Sequence, residues 1–166
     1  MGRDTVDKAL MFSKKSDEWS TPQALFEALN AEFAFDLDAA ADRKNAKCDD
    51  FLARNALSLD WDTYGLCVGP SVFLNPPYSK SREFIAKAAW EASKGCTVVC
   101  LVPSRTDTRW FHDHVWDRDR HRPQPGVEVR FLKGRLKFSG AKAGAPFPSM
   151  IVVFRPPMSD GTARRG

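Results

Sequence analysis

Residues 72–80 read VFLNPPYSK, and the two adjacent prolines in that stretch constrain the chain more than any other feature. Val72, Phe73 and Leu74 make a strand with no polar face. Proline locks φ and supplies no N–H, so no central strand continues through Pro76-Pro77, and the backbone must turn at Asn75. From Ser81 the spacing becomes helical, with Phe84, Ile85, Ala88, Ala89 and Ala92 on one side and Gly95 as a natural stop. A second wholly apolar strand, TVVCLV over 97–102, then runs to Pro103. Apolar strands joined through a helix belong to a parallel sheet covered on both faces. In such sheets ligands bind at the carboxyl ends of the strands, which is where Asn75-Pro76-Pro77-Tyr78 falls.

The remaining segments extend this plan. Residues 1–18 are polar without sustained periodicity and read as a flexible arm. Thr21-Pro22 reads as a helix start, a capping hydroxyl before a proline at the first helical position. Leu25, Phe26 and Leu29 give that helix its apolar face to about Asn30. Residues 33–39 read as a strand in which Phe33, Phe35 and Leu37 alternate, ending in the small-residue stretch DAAAD at 38–42. The segment 43–71 is less legible, with short strands expected near 47–52 and 56–60. A short helix capped by Thr106 or Asp107 runs through Val115, followed by a charged loop over 116–126. Strands are expected at 127–132, 136–138 and 150–154, and residues 156–166 read as a disordered tail. The expectation is one α/β domain over 19–155, its sheet mostly parallel with late antiparallel strands.

Composition narrows the setting. With 166 residues the chain suits one domain, and no apolar run approaches the length of a membrane span. The first ten residues lack the plan of a secretory signal, so a cytoplasmic protein is expected. The four cysteines form no CxxC pair, which argues against zinc and against a disulfide framework. His112 and His114 read as structural or surface residues, and no metal is expected. The net charge is +4, and basic residues gather in the second half: Arg105, Arg109, the run DRDRHR at 117–122, Arg130, Lys133, Arg135 and Lys137. That asymmetry suits a polyanionic partner, although a solvated charged loop explains 117–122 equally well.

The chemistry of the turn follows from its residues. Two prolines remove two donors, leaving the Asn75 and Pro76 carbonyls and the Asn75 side-chain oxygen as acceptors beside the flat ring of Tyr78. Such a site suits a planar group with an NH2 to donate. Accepting both amine hydrogens draws the nitrogen lone pair out of conjugation and toward an electrophile. As charge develops on that nitrogen, the same oxygens and the π face stabilise it. The competing reading is a proline-rich turn followed by a core tyrosine.

NPPY is also the signature of amino-methyltransferases that use S-adenosylmethionine, and the stretch 18–154 resembles the phage-type DNA N-6-adenine methyltransferases. The matching pieces are Trp19-Ser20-Thr21-Pro22 with Leu25-Phe26, FDLDAA at 35–40, Lys47-Cys48 with Phe51, NPPYS, LVPSRTDTRWF at 101–111 and FLKGRLKF at 131–138. The resemblance implies a Rossmann-like methyltransferase fold, S-adenosylmethionine as cofactor and double-stranded DNA as partner. Asn75, Pro76, Pro77 and Tyr78 would hold a flipped adenine, since N6 is buried in the duplex. Asp38, Ala39 and Ala40 would take the place of the first cofactor-binding loop, small residues replacing its usual glycines. Trp19, Thr21 and Pro22 would close over the cofactor's amino-acid end, with Asp60 near its adenine and Phe51 as a stacking wall. Phe138 would sandwich the target base with Tyr78, and Ser79, Arg105 and Arg135 would meet the base or DNA phosphates. There is no room for a separate recognition domain, so target reading is expected from loops 105–126 and 133–147, or from a second subunit, and the target from a short or relaxed sequence. The setting implied is a phage or prophage enzyme in the host cytoplasm, monomer or homodimer. Alternatives are an amino-methyltransferase acting on RNA adenine, DNA cytosine N4 or protein glutamine, and a non-catalytic nucleic-acid-binding module of the same fold.

Overall fold

The computed structural model of the chain describes residues 19–62 and 69–158. The expected arm at 1–18, most of the expected tail (159–166) and Cys67 lie outside the described residues. Helix α1 (Gln23–Phe33) leads to strands β1 (Leu37–Asp38), β2 (Asp50–Phe51) and β3 (Ser71–Leu74). A single 3-10 turn (Tyr78–Lys80) opens helix α2 (Ser81–Ser93), and β4 (Thr97–Pro103) follows. Helix α3 (Arg109–His114), the short strands β5 (Trp116–Asp117) and β6 (Arg122–Pro123), and then β7 (Val127–Phe131) and β8 (Ser149–Phe154) complete the order. Six strands form one sheet in the order β2-β1-β3-β4-β8-β7. The first four are parallel, and β8 runs antiparallel to both β4 and β7, as the late strands of the sequence predicted.

Past their first residues (Ser71, Thr97 and Ser149) the central strands β3, β4 and β8 are apolar, because both faces of the sheet are covered. Val72, Leu74, Val98, Cys100 and Val102 pack with Ile85 and Ala88 of α2 and Trp110 and Phe111 of α3. The alternate residues Phe73, Val99, Leu101, Ile151 and Val153 pack with Phe26 and Leu29 of α1 and with Phe138. Each such side chain fully buried contributes about 1.5–3 kcal/mol relative to exposure.

Six sequence expectations are corrected. Helix α1 runs to Phe33 rather than Asn30, because Ala34 adopts a left-handed conformation (φ 48°) and Asn30 Oδ1 accepts the Phe35 N–H at 2.8 Å. Phe33 and Phe35 are therefore not alternating strand positions. They stack on each other with centroids 5.9 Å apart, and Phe35 packs on Phe26 and Phe73. Residues 56–60 form turns on the Asn55 carbonyl instead of a strand, and Trp61 closes over them, its Nε1–H donating to Ala56 O at 2.8 Å. Residues 136–138 pair with no strand, since the loop dips to carry Phe138 into the core. The loop at 116–126 contains the β5–β6 hairpin. The residue before α3 is Thr108, not Thr106 or Asp107, and no side chain caps the helix, since the Thr108 hydroxyl donates to Arg105 O.

Register sets what meets at each edge. The carboxyl ends of β1, β3 and β4 and the start of β8 lie together, since Asp38 aligns with Phe73 and Pro103 with Ser149. The loops 39–49, 75–80, 104–108 and 132–148 therefore share one edge. The hairpin instead leads into Val127, which pairs with Phe154, itself opposite Val98 at the other edge. Of the loops expected to read a target, 105–108 and 133–147 sit at the motif edge, and 116–126 delivers the chain to the far one. Helix α1 is anchored by Arg130 of β7, whose guanidinium holds both Glu32 oxygens at 2.6 and 2.7 Å.

At the amino edge Gly69 lies against the turn before β4. A Cβ there would sit 2.1 Å from Gly95 O and 2.4 Å from Gly95 C, both backbone atoms that cannot yield cheaply. Gly69→Ala is expected to destabilise the fold by about 1–3 kcal/mol by forcing β3 and β4 apart. Urea unfolding of the variant against wild type checks this, and an unchanged midpoint contradicts it.

Candidate active site

The carboxyl edge encloses a cavity of about 730 Å3. Trp19, Ser20 and Thr21 form one side, and Asn75, Pro76, Pro77 and Lys80 another. Asp38 and the loop 40–42 lie at the end of β1, and residues 52–58 close the rest with Phe84. The volume lies within the range of small-molecule sites.

Asn75 is held in one orientation. Its amide nitrogen donates to Trp19 O at 2.5 Å and to Thr21 Oγ1 at 3.0 Å. Both amide hydrogens are thus used within the protein, and the oxygen is left to accept. Thr21, expected as the helix cap, makes no such bond: Pro22 is the residue before α1, and no side chain caps the helix.

The stretch 38–45 is held by backbone and carboxylate hydrogen bonds. Ala39 N–H donates to Phe73 O at 2.9 Å and Ala41 N–H to Leu52 O at 3.2 Å. Asp42 Oδ1 accepts from the N–H groups of Lys44 and Asn45. The buried Asp38 carboxylate accepts the Lys47 N–H at 3.0 Å and the Ala40 N–H at 3.4 Å. Burial pushes its pKa up to about 6 despite those two bonds. Neighbouring Cys48 is pushed up to about 12, by burial first and then by Asp38 and the other nearby carboxylates, so it is a protonated thiol.

Tyr78 meets other rings. Its centroid lies 5.3 Å from Phe147 and 6.3 Å from Phe138, both near edge-on, and Trp19 packs on the same two phenylalanines at 5.7 and 5.1 Å. Tyr78 and Phe138, expected to flank the target base, stand at 69° to each other, and Phe147 packs against both. Burial pushes the Tyr78 phenol upward. Among the described residues, neither its hydroxyl nor Trp19 Nε1 has a hydrogen-bond partner.

The residues singled out in the sequence thus divide. Trp19, Thr21, Asp38, Ala40, Asn75, Pro76 and Pro77 meet at the cavity. Ala39 is fully buried, and Pro22 immediately precedes the adjoining helix. Phe51 lies in β2 beside the lining residue Leu52. Asp60 is outside, mostly exposed and paired with Lys94 at 2.6 Å, so it does not line the cavity as expected. Ser79, Arg105 and Arg135 are exposed on the loops of this edge. Sequence reading missed Asn45, Asn55 and Lys80 on the lining and Phe147 in the aromatic cluster. Phe147 alone carried a signal, as an aromatic residue between Pro146 and Pro148 just before a strand. Among the described residues there is no group of three or more His, Cys, Asp or Glu able to hold a metal ion, and no helix is long and apolar enough to cross a membrane.

A mixed sheet with a rigid acceptor turn and a small-residue loop around a cavity at one carboxyl edge is the usual place and make-up of a ligand site in an α/β protein. Residues 8–163 match the family described as DNA N-6-adenine-methyltransferase (Dam), and the chain belongs to that family. It is 34% identical over 139 residues to the DNA N-6-adenine-methyltransferase of Escherichia phage T1, covering 77% of this chain and 56% of that relative. It is 28% identical over 165 residues to the protein of the same name from Haemophilus phage HP1 (strain HP1c1), covering 92% of this chain and 87% of the relative. The chain therefore spans little more than half of the T1 relative and most of the HP1 one. No solved structure matches it.

Proposed function

We propose that this chain is an S-adenosylmethionine-dependent DNA adenine-N6 methyltransferase acting on a flipped adenine, with a Rossmann-like catalytic domain over 19–155. The observation that carries the reading is the orientation of Asn75, whose nitrogen is fully engaged by Trp19 and Thr21 and whose oxygen remains an acceptor. Two named phage relatives and the family match support the substrate and the base. The host-cell cytoplasm is the setting such phage relatives suggest.

The residues at the cavity fit the cofactor. Ala40 and Ala41 allow close backbone approach, and the Asp38 carboxylate, displaced upward by burial, would be relieved by a cationic ammonium. Trp19 and Phe84 offer apolar walls. When bound, the cofactor supplies a methyl group on a sulfonium sulfur as the electrophile. The chain's own task is to place the amine. Asn75 Oδ1 and the Pro76 carbonyl accept the two N6 hydrogens, directing the nitrogen lone pair out of the ring plane. Pro76 and Pro77 hold those oxygens rigid, and the Tyr78 face stabilises the positive charge that grows on nitrogen. Admitting a base beside Tyr78 requires Phe147 to move, since its ring now packs against Tyr78 and Phe138. Arg105 and Arg135, exposed at the same edge, suit contacts to phosphate.

The test is direct. The protein is incubated with S-adenosylmethionine and unmethylated duplex DNA, and the digested nucleosides are read by mass spectrometry. N6-methyladenine is expected. N4-methylcytosine would change the base and keep the mechanism, and no methylated nucleoside with bound cofactor confirmed would refute the DNA reading.

A further inference from the structure

We propose that Thr21 is a positioning residue for methyl transfer, one that holds the Asn75 side chain in the plane needed to accept the target amine. The inference rests on the functional reading above and assigns Thr21 a task besides closing over the cofactor.

The geometry separates the work of the two acceptors. Trp19 O is a carbonyl and can only accept, so its 2.5 Å contact requires the nitrogen of the Asn75 amide on that side. A flipped amide would set two oxygens against each other. That contact alone leaves the amide free to rock about its last bond. The second hydrogen bond, to Thr21 Oγ1 at 3.0 Å, fixes the plane and with it the direction of the Oδ1 lone pairs.

Thr21 is itself held from the other side. It is 3% exposed, its carbonyl accepts from Ser139 Oγ at 3.2 Å, and the neighbouring Ser20 O accepts the Ser139 N–H at 2.9 Å. Trp19 packs on Phe138 and Phe147. The segment 19–21 therefore bridges the loop that carries those rings and the turn that carries Asn75. The hydroxyl is not needed by helix α1, which no side chain caps, so removing it costs no helix cap.

Thr21→Val and Thr21→Ser in the full chain test this. Thr21→Val is expected to lower kcat by roughly tenfold, the loss of one aligned hydrogen bond in the transition state, a larger change than any in cofactor affinity or KM for DNA. Thr21→Ser, which keeps the acceptor, should recover most of kcat. A second readout needs no substrate: the two side-chain amide protons of Asn75, followed by NMR, are both protected from solvent exchange in the wild type, and one loses protection in Thr21→Val. Wild-type kcat in Thr21→Val, or a loss confined to cofactor affinity, overturns the proposal. So does a variant with both amide protons still protected. A wild type that methylates no DNA while both protons are protected refutes the functional reading and leaves the clamp on Asn75 standing.

Discussion

Asn75→Ala is expected to abolish methylation while leaving a folded, cofactor-binding protein. The side chain supplies one of the oxygens aimed at the amine, and removing one preorganised polar group of that kind costs about 10²–10³ in kcat. Truncation also releases Trp19 O and Thr21 Oγ1 from their shared donor. Each such bond is worth about 1 kcal/mol net to stability, so the fold survives. The remaining oxygen of Pro76 cannot do the work alone, because a single acceptor leaves the nitrogen lone pair conjugated with the ring. N6-methyladenine is measured by mass spectrometry after matched incubations, with cofactor binding followed by calorimetry and fold by circular dichroism. A variant that keeps more than about a tenth of wild-type activity would remove Asn75 from the mechanism.

The part of the fold that was legible in the sequence is the part where local pattern and tertiary setting agree. β3, β4 and β8 are apolar after their first residue because both sheet faces are covered, and proline at Pro76 and Pro103 ends β3 and β4 by its own geometry. The turn at Asn75 was legible for the same reason. The misread segments are those decided by distant partners. Phe33, Phe35 and Leu37 alternate like a strand, but Asn30 and Ala34 carry the helix through Phe33, and Phe35 packs on Phe26 and Phe73. Leu136 to Phe138 looks like a strand because nothing local says that Phe138 leaves the surface for the core. Thr21 before proline has the local signature of a cap, while its hydroxyl answers an amide 54 residues away. Asp60 was legible only as an acidic residue in a segment without register, and Lys94 holds it outside. Phe147 had a local signal in its flanking prolines, but its place in the cluster depends on the packing of Trp19, Tyr78 and Phe138, which no spacing encodes.

Asp38→Asn is expected to weaken cofactor binding by roughly 10- to 100-fold, the value of one charge-assisted hydrogen bond, and to remove a pH dependence that the wild type shows. The carboxyl is 3% exposed, and burial raises its pKa from 3.8 to about 6. Between those values the native state keeps a proton that the unfolded chain has released. The native state therefore loses stability as pH rises through the window, by about 3 kcal/mol in total. The paired carboxylates Glu32 and Glu128 act oppositely, since their arginine partners lower their pKa values and acid weakens them. For that reason the informative quantity is the difference between wild type and Asp38→Asn. In urea unfolding of the cofactor-free proteins, that difference should move in favour of wild type as pH falls from 7 to 5. A cationic ammonium beside Asp38 reverses the preference by favouring the ionised form. Cofactor binding near pH 6 should then release a proton, and affinity should rise between pH 5 and 7. Calorimetry in two buffers of different ionisation enthalpy reads that proton directly. No release from the wild type would place the ammonium away from Asp38, and a difference in stability that stays flat with pH would show that the carboxyl is ionised throughout.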